Sequence, residues 1–292
     1  MLIQEKLKMK EKFSTNEETI ADYLMERGSS ILKESVRDIA NKTYTSPGSI
    51  VRLCQKMGFD GFQSFKEAYL KEIEYMNAHF ENIDPNHPLN RTDKNMVIVG
   101  KIKTLYREIT EDTAGLMNHD DLQKANRLLA KASGITLCVQ GHLYGEAYIF
   151  KDQMLKIGMQ VNLPITRDDV FYDACNCPLD HCFIIISYTG ETPRPLMIAK
   201  KLKERGVPFM AITSFGDNTL SKMSDCTLHI STHEKLKDNL GHFSTNLSVH
   251  LILDVLYADY FNLNYEEHIA HKAKNSKEFE VERYSANPLM KD

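Results

Sequence analysis

Three hydroxyl side chains lie within six residues of one another, those of Ser187, Thr189 and Thr192. Gly190 stands between them and permits a ligand to approach the backbone closely. Small hydroxyls and the N–H groups at a helix start can together hold a phosphate without a cation or a catalytic group. We therefore predict a phosphate-binding loop over these residues, with Tyr188 and Gly190 among its ligand contacts. The alternative is that the hydroxyls only cap a helix and complete a turn.

The elements on either side of this loop must position it. The run 183–186 is continuously apolar, which is typical of a strand buried on both faces. Pro193 suits the first position of a helix, with Thr192 as its N-cap. Similar strand-like runs alternate with helical patterns from about residue 104 onward, at 135–139, 161–163, 209–213 and 227–230. We predict a three-layer α/β domain with a parallel five-stranded sheet, whose ligand binds at the carboxyl ends of the strands.

The first 77 residues have a different pattern and predict an all-α domain. The segments 36–43 and 47–57 read as two short helices joined by a tight turn, with Ser46 as the N-cap of the second and Pro47 at its first position. A further helix follows, from about 64 to 75. Two helices in this arrangement with a third packed behind them describe a helix-turn-helix. In the second helix, apolar side chains at a spacing of three and four residues face the core: Ile50, Leu53, Cys54 and Met57.

The other face of this helix is suited to nucleic acid. The stretch 39–59 contains no acidic residue, whereas the whole chain carries a net charge of −4, so any attraction to phosphates must be local. Small hydroxyls at a helix start allow close approach to a phosphate. The candidate DNA contacts are Lys42, Thr45, Ser46, Ser49, Arg52 and Lys56. The alternative is a three-helix protein-interaction module with a solvated charged face.

The segment 46–66 resembles the RpiR family of repressors. In that family a hydroxyl-rich helix start precedes an arginine, here Arg52, and a Gly-Phe-x-Gly-Phe segment precedes a lysine, here Lys66. The resemblance covers the first 75 residues and implies a helix-turn-helix that binds double-stranded operator DNA.

The stretch 187–192 resembles the Ser-x-Ser-Gly-x-Thr signature of sugar isomerase (SIS) domains, with Thr189 in place of the second serine. The resemblance extends from about 110 to 262. RpiR-type regulators carry this domain behind their helix-turn-helix, and in that family it senses a phosphorylated sugar and helps the protein to dimerise. The two resemblances together imply a regulator of carbohydrate metabolism with a sugar-phosphate effector and a homodimeric or homotetrameric assembly.

This chain departs from the SIS pattern in the loop after the first strand. SIS domains usually have a Gly-x-Gly-x-Ser loop whose serine also holds the phosphate, and the matching positions here are Val139, Gly141 and Leu143. His142 and Tyr144 stand nearby, where they either replace the missing donor or fill the pocket. Gly141 and His142 are therefore candidate ligand contacts.

Two other kinds of chemistry have weaker support. Four potential zinc ligands lie close in the sequence, but their spacing is unlike that of zinc sites and the last of them opens an apolar strand: Cys175, Cys177, His181 and Cys182. The rival to a regulator is a phosphosugar isomerase with an accessory helical domain, in which Glu191, His142 and His242 would serve as acid–base groups. We expect no enzymatic activity, no cofactor and no metal.

The remaining expectations concern organisation. The 292 residues divide into a helix-turn-helix domain over 1–77, a linker over 78–104 and an SIS domain over 105–292. The chain shows no signal-peptide pattern and no run of about 18 apolar residues, so we expect a cytoplasmic protein with reduced cysteines and no membrane partner. The segments 247–261 and 105–129 offer apolar surface for a symmetric interface.

Overall fold

The computed structural model describes residues 2–77 and 82–279, together with 287 and 289. Two compact units are present, Met1–Asn82 with Gly216–Asn218, and Ile83–Phe215 with Thr219–Asp292. Within the described ranges, no helix is both long enough and apolar enough to span a bilayer.

The first unit is helical. Its α-helices in the described residues are α1 (Ile3–Met9), α2 (Thr15–Arg27), α3 (Val36–Lys42), α4 (Pro47–Lys56) and α5 (Phe62–Asn77), with a 3₁₀ turn over Gly28–Lys33. The predicted helix-turn-helix is confirmed as α3 and α4.

Local signals explain where these helices begin. Ser35 and Asp38 form a capping box at α3, since the Ser35 N–H donates to the Asp38 carboxylate at 2.8 Å and the Asp38 N–H donates to the Ser35 hydroxyl at 3.2 Å. Ser46 caps α4 by accepting from the Ser49 N–H at 3.2 Å, and Pro47 takes the first helical position, as predicted. Caps of both kinds satisfy N–H groups that have no partner inside the helix.

One apolar core holds the first unit together. The predicted stripe of α4 is buried in it, at Ile50, Leu53, Cys54 and Met57. Phe65 lies beneath this stripe, edge-on to Phe59 and stacked on Tyr69, with both ring centroids 5.5 Å away. The aromatic residues of the segment that follows α4 thus close the core behind the two helices.

The second unit contains an entirely parallel five-stranded sheet. Its strands are β1 (Ile135–Cys138), β2 (Val161–Asn162), β3 (Cys182–Ile186), β4 (Phe209–Ser214) and β5 (Cys226–Ile230), in the order β2-β1-β3-β4-β5. The strand order reverses between β1 and β3, which pair directly. In an open parallel sheet this reversal point is where ligands bind, outside the carboxyl ends of the strands.

Helices cover both faces of the sheet. They are α6 (Asn95–Leu116), α7 (His119–Lys131), α8 (Tyr144–Lys156), α9 (Arg167–Asn176), α10 (Pro193–Arg205), α11 (Thr219–Met223), α12 (Phe243–Leu263) and α13 (Tyr265–Phe279). Alternate residues of each strand point to opposite faces. Ile184 therefore packs in one core with side chains of α7, α8 and α12, whereas Phe183 and Ile185 pack in another with α9, α10 and α11. The predicted three-layer α/β architecture is confirmed.

The segment 78–104 was predicted as a linker, but its second half enters a helix. Helix α6 already begins at Asn95, and it begins without a side-chain cap, so the sequence carried no start signal there. Ahead of it, Asn86 is buried and joins the second unit, because its side-chain amide donates to the carbonyl of His233 at 3.1 Å and its carboxamide oxygen accepts from the Lys235 N–H at 2.7 Å. An asparagine that suggested a loose loop thus anchors the segment.

Much of the apolar surface that was predicted to form an oligomer interface is buried within the second unit. Helix α12 packs against α6 and α8 inside the unit, and its side chains Val249, Ile252, Leu253 and Leu256 are buried. In α6, Leu105 and Ile109 are buried as well. Much of the apolar surface of 247–261 and 105–129 therefore belongs to the unit's own core, and the face of α12 left half-buried carries Leu247, Leu251 and Val255.

Candidate functional site

The predicted phosphate loop lies at the carboxyl end of β3. The Ser187 N–H still follows the sheet, donating to the Ile212 carbonyl of β4 at 3.0 Å. The chain then turns sharply, since the Gly190 N–H donates back to the Ser187 carbonyl at 3.1 Å and Gly190 adopts φ +63°. Thr192 and Pro193 start α10 directly afterwards. The loop therefore joins a buried strand to a helix start at the reversal point of the sheet.

The three hydroxyls of this loop converge. Ser187 Oγ lies 3.4 Å from Thr192 Oγ1, and Thr189 Oγ1 also lies 3.4 Å from Thr192 Oγ1. Thr192 occupies the N-cap position of α10, but its side chain makes no capping hydrogen bond. Capping alone therefore does not account for the Thr192 hydroxyl, and the cluster can offer three donors to one anion.

Hydrogen bonds outside the hydroxyl cluster fix the other loop residues, Tyr188 and Glu191. The Tyr188 carbonyl accepts from the Ser214 N–H at 2.9 Å, and its phenol donates to the Glu234 carbonyl at 2.5 Å. Glu191 points away from the cluster, because its carboxylate accepts from the N–H and the hydroxyl of Thr219 at 2.8 and 2.7 Å. Glu191 therefore caps α11, which leaves little reason to assign it acid–base work.

A pair of imidazoles lies at the same edge of the sheet. His142 follows β1, the neighbour of β3, and its ring stacks on that of His242 with centroids 3.9 Å apart and an interplanar angle of 7°. Burial lowers the pKa of His142, and the facing imidazole lowers it further. Gly141 makes this turn with φ +64°, and Leu143, at the position of the missing serine, is buried in the core. His142, one face of whose ring is covered by His242, is thus a polar side chain in the loop that lacks the usual donor.

Glu234 is a residue of this region that the sequence reasoning missed. It is 5% exposed, and its carboxylate accepts from His242 Nδ1 at 2.8 Å and from the N–H groups of Ser244 and Thr245 at 3.0 and 3.1 Å. The carboxylate thereby caps α12 and fixes the ring of His242. The signal available in the sequence was an acidic residue in the loop before a Ser-Thr helix start, but the separation was too long for a capping-box pattern.

The cysteine cluster has a structural explanation. Cys182 is fully buried, and burial raises the pKa of its thiol to about 12. Arg205 binds the end of α9, donating to the carbonyls of Ala174 and Cys177 at 2.8 Å each. In the described part of the chain, no three His, Cys, Asp or Glu side chains are grouped as metal ligands would be.

The candidate DNA contacts lie around the start of α4. Ser46, Ser49 and Arg52 form one chain of hydrogen bonds, with Ser46 Oγ and Ser49 Oγ 3.0 Å apart and the guanidinium donating to Ser49 Oγ at 3.1 Å. Ser49 was expected on the polar face but is buried, because this network draws it against the helix start. Its hydroxyl orients Arg52, whose side chain is exposed. The Thr45 hydroxyl is paired with that of Thr43 at 2.9 Å.

The two candidate lysines have intramolecular partners that the sequence did not suggest. Lys42 lies 2.9 Å from the buried carboxylate of Glu34, and Lys56 lies 2.6 Å from that of Glu17. Burial alone would raise the pKa of both carboxyls, but the lysine hydrogen bonds and the other donors around them lower it below the ordinary value. Glu17 balances Lys56, so Lys56 attracts phosphates less than a free cation would. Glu34 is shared between Lys42 and Arg27, which lies 3.1 Å away, so Lys42 is only partly balanced.

We expect Lys56→Met to reduce stability, because the substitution leaves Glu17 buried without its cation. The loss should be on the order of 1 kcal/mol at pH 7, since Lys56 is 39% exposed and water screens the pair. The stabilisation linked to the lowered pKa of Glu17 is fully present above about pH 4.5, the ordinary value, and is lost as the pH falls through the lowered pKa. Urea titrations of wild type and variant should therefore differ at pH 7 and converge at an acid pH below that lowered pKa.

Gln55→Met is the matched control for this comparison, because it adds the same side chain to an exposed position of the same helix. It should leave the free energy of unfolding unchanged at both pH values. Equal stability of Lys56→Met and wild type at pH 7 would show that the ion pair contributes nothing.

Comparison with known proteins agrees with both units. Residues 1–75 match the helix-turn-helix domain of the rpiR family, and residues 128–258 match the SIS domain. An uncharacterised HTH-type transcriptional regulator of Caldanaerobacter subterraneus is 27% identical over 256 residues, which cover 85% of this chain and 86% of that protein.

Two solved structures have a similar fold. The NanR protein of Vibrio vulnificus, complexed with ManNAc-6P, aligns with a TM-score of 0.61 at 19% identity, over 97% of this chain and 99% of that one. The sugar isomerase domain of the RpiR transcription factor from Sphaerobacter thermophilus aligns with a TM-score of 0.55 at 15% identity, over 62% of this chain and 98% of that one.

The helical unit contains a helix-turn-helix, and the α/β unit contains the loop 187–192, which we call the hydroxyl loop. Together they define a class, that of transcriptional regulators with an SIS domain. Within that class, the chain belongs to the RpiR family.

Proposed function

We propose that this protein is a DNA-binding regulator of carbohydrate metabolism whose SIS domain senses a phosphorylated sugar. The observation that carries the proposal is the convergence of the Ser187, Thr189 and Thr192 hydroxyls at the switch point of the sheet, with the Thr192 side chain making no capping bond. Hydroxyls donate charge-assisted hydrogen bonds to a phosphate at such a helix start.

The loop 187–193 contains no lysine or arginine, and its one carboxylate, that of Glu191, is occupied by the N–H and hydroxyl of Thr219. The remaining hydroxyl and N–H donors at a helix start suit an oxyanion better than a metal ion, which needs lone-pair ligands. His142 and His242 supply further polar groups at the same sheet edge, where they would contact the sugar or a phosphate oxygen in place of the serine that Leu143 replaces. The structure of the NanR protein with ManNAc-6P gives the same class of ligand for a relative of similar fold.

For DNA, we propose that α4 is the recognition helix. Arg52 is exposed and oriented by Ser49, so it would contact bases. Thr45 and Ser46 stand at the helix start, so they would contact phosphates. Helix-turn-helix proteins usually read two half-sites as dimers, so we propose a homodimer or homotetramer. The half-buried face of α12 that carries Leu247, Leu251 and Val255 is the part of the expected interface still available for it.

The rival function, a phosphosugar isomerase, has a specific observation on its side. The buried carboxylate of Glu234 pairs with the partly exposed imidazole of His242, and such pairs can act as acid–base groups. The regulator remains the better proposal because Glu234 also receives the N–H groups of Ser244 and Thr245, which accounts for its burial as a helix cap. Incubation with aldose and ketose phosphates, followed by ¹H NMR, would reveal any interconversion.

The test of the proposal has two measurements. Thermal unfolding of the full chain should shift upward with a particular sugar phosphate and far less with the corresponding free sugar, because ligand bound to the folded state raises stability. The same sugar phosphate should change the affinity for a duplex that the protein selects from a random-sequence library. If no duplex is enriched and no sugar phosphate raises the melting temperature, the proposal is wrong.

A further inference from the structure

Tyr44, in the turn between α3 and α4, is the most exposed of the large apolar and aromatic side chains in the described ranges, at 97% exposure. It also adopts a left-handed backbone conformation, with φ +53°. Both features work against a bulky aromatic residue, because this conformation is rare for it and an exposed ring gains nothing from burial. Tyr44 therefore does not serve the stability of the turn.

The backbone on both sides of Tyr44 is fixed. The Thr43 hydroxyl donates to the Ile39 carbonyl at 2.8 Å, and the Thr45 N–H donates to the Ala40 carbonyl at 2.9 Å. The Tyr44 N–H itself reaches the Asn41 carbonyl at 3.4 Å. These bonds fix the backbone between α3 and α4, so the Cα–Cβ bond of Tyr44 points into solvent.

The charges nearby indicate what this phenol can meet. Lys56 is paired with Glu17, and Lys42 shares Glu34 with Arg27, so the surface around α4 offers less free positive charge than the sequence suggests. Neutral hydroxyls, those of Tyr44 and Ser46, stand at the turn itself, and the guanidinium of Arg52 follows on α4. The stretch 39–59 contains no acidic side chain that would repel a phosphate.

We propose that Tyr44 is a positioning contact to double-stranded DNA, with its hydroxyl donating to a backbone phosphate and its ring lying on the adjacent deoxyribose. This inference rests on the proposed function and assigns a residue to it. A phosphate contact sets the register of the recognition helix and carries no base preference of its own. In this arrangement the turn accepts backbone strain because the left-handed conformation directs the ring to the DNA.

Two variants test this in the full-length protein, with a duplex selected from a random-sequence library as the probe. Tyr44→Asn removes the ring and places at φ +53° a residue that tolerates this conformation. It should melt at or above the temperature of wild type while binding the duplex roughly tenfold more weakly. Tyr44→Phe keeps the ring and should lose part of that affinity. Both should keep the wild-type salt dependence, because no cation is removed.

A purely structural residue would behave in the opposite way, since its loss would lower the melting temperature. A fall in the melting temperature of Tyr44→Asn, or duplex affinity equal to that of wild type, overturns the proposal. Arg52→Ala in the same assay distinguishes failure of the Tyr44 contact from failure of DNA binding as a whole. If Arg52→Ala weakens binding and Tyr44→Asn does not, the Tyr44 contact is wrong and DNA binding stands, whereas failure of wild type to select any duplex overturns both.

Discussion

Replacing Ser187 and Thr189 together by alanine should abolish the response to sugar phosphate while leaving the DNA affinity of the ligand-free protein unchanged. Each hydroxyl can donate a charge-assisted hydrogen bond worth roughly 1.5–3 kcal/mol to a phosphate in a partly buried loop. Loss of two such bonds corresponds to an affinity reduced by roughly 100-fold or more. The measurement is DNA affinity as a function of sugar-phosphate concentration, with the thermal shift of each variant beside it.

Ser133→Ala is the matched control, since it removes a hydroxyl just ahead of β1, at the amino-terminal edge of the sheet. It should respond like wild type. Thr192→Ala can be added as a third variant, because the Thr192 side chain makes no capping bond and its loss should affect the effector more than the helix. If the double variant still responds, or if the free sugar acts as well as its phosphate, the loop is not the phosphate site.

Arg52→Ala should weaken operator binding by about 1–3 kcal/mol, which is roughly 5- to 150-fold, and should relax discrimination at one base position. Arg52 is suited to this role because its guanidinium is exposed on α4 and is oriented by Ser49 at 3.1 Å, a hydroxyl partner that leaves its charge unbalanced. The measurement is the affinity for the selected duplex and for its single-base variants.

Arg52→Lys provides the matched comparison, because it keeps the positive charge and loses the planar fork that pairs with a guanine edge. It should retain most of the affinity for random duplex and lose discrimination. If both variants bind the selected duplex as wild type does, with their helical content unchanged by circular dichroism, α4 is not the recognition helix.

Much of the fold could be predicted because its signals are local. The apolar spacing of Ile50, Leu53 and Met57 predicted the buried face of α4, and β-branched runs predicted all five strands. The start of α6 could not be predicted, since Lys94 offers no cap there. The contact of Asn86 with the second unit could not be predicted either. Asparagine is typical of loops, and its carboxamide bonds to a backbone carbonyl that is distant in the chain.

For the candidate site, local sequence predicted which residues to consider and tertiary structure decided what they are free to do. The convergence of the Ser187, Thr189 and Thr192 hydroxyls follows from one strand-turn-helix junction and was therefore readable from the sequence. Lys56 is paired with Glu17 through packing of α2 against α4, which no local pattern records.

The sequence by itself thus determined the two domains, their classes, and the positions of α4 and of the loop 187–192, because each depends on contacts between residues near one another in the chain. Only the tertiary structure decided the charge left free beside α4 and the partner of His142. Long-range packing brings His242 onto His142 and Glu234 against His242, and a short sequence pattern cannot specify such contacts.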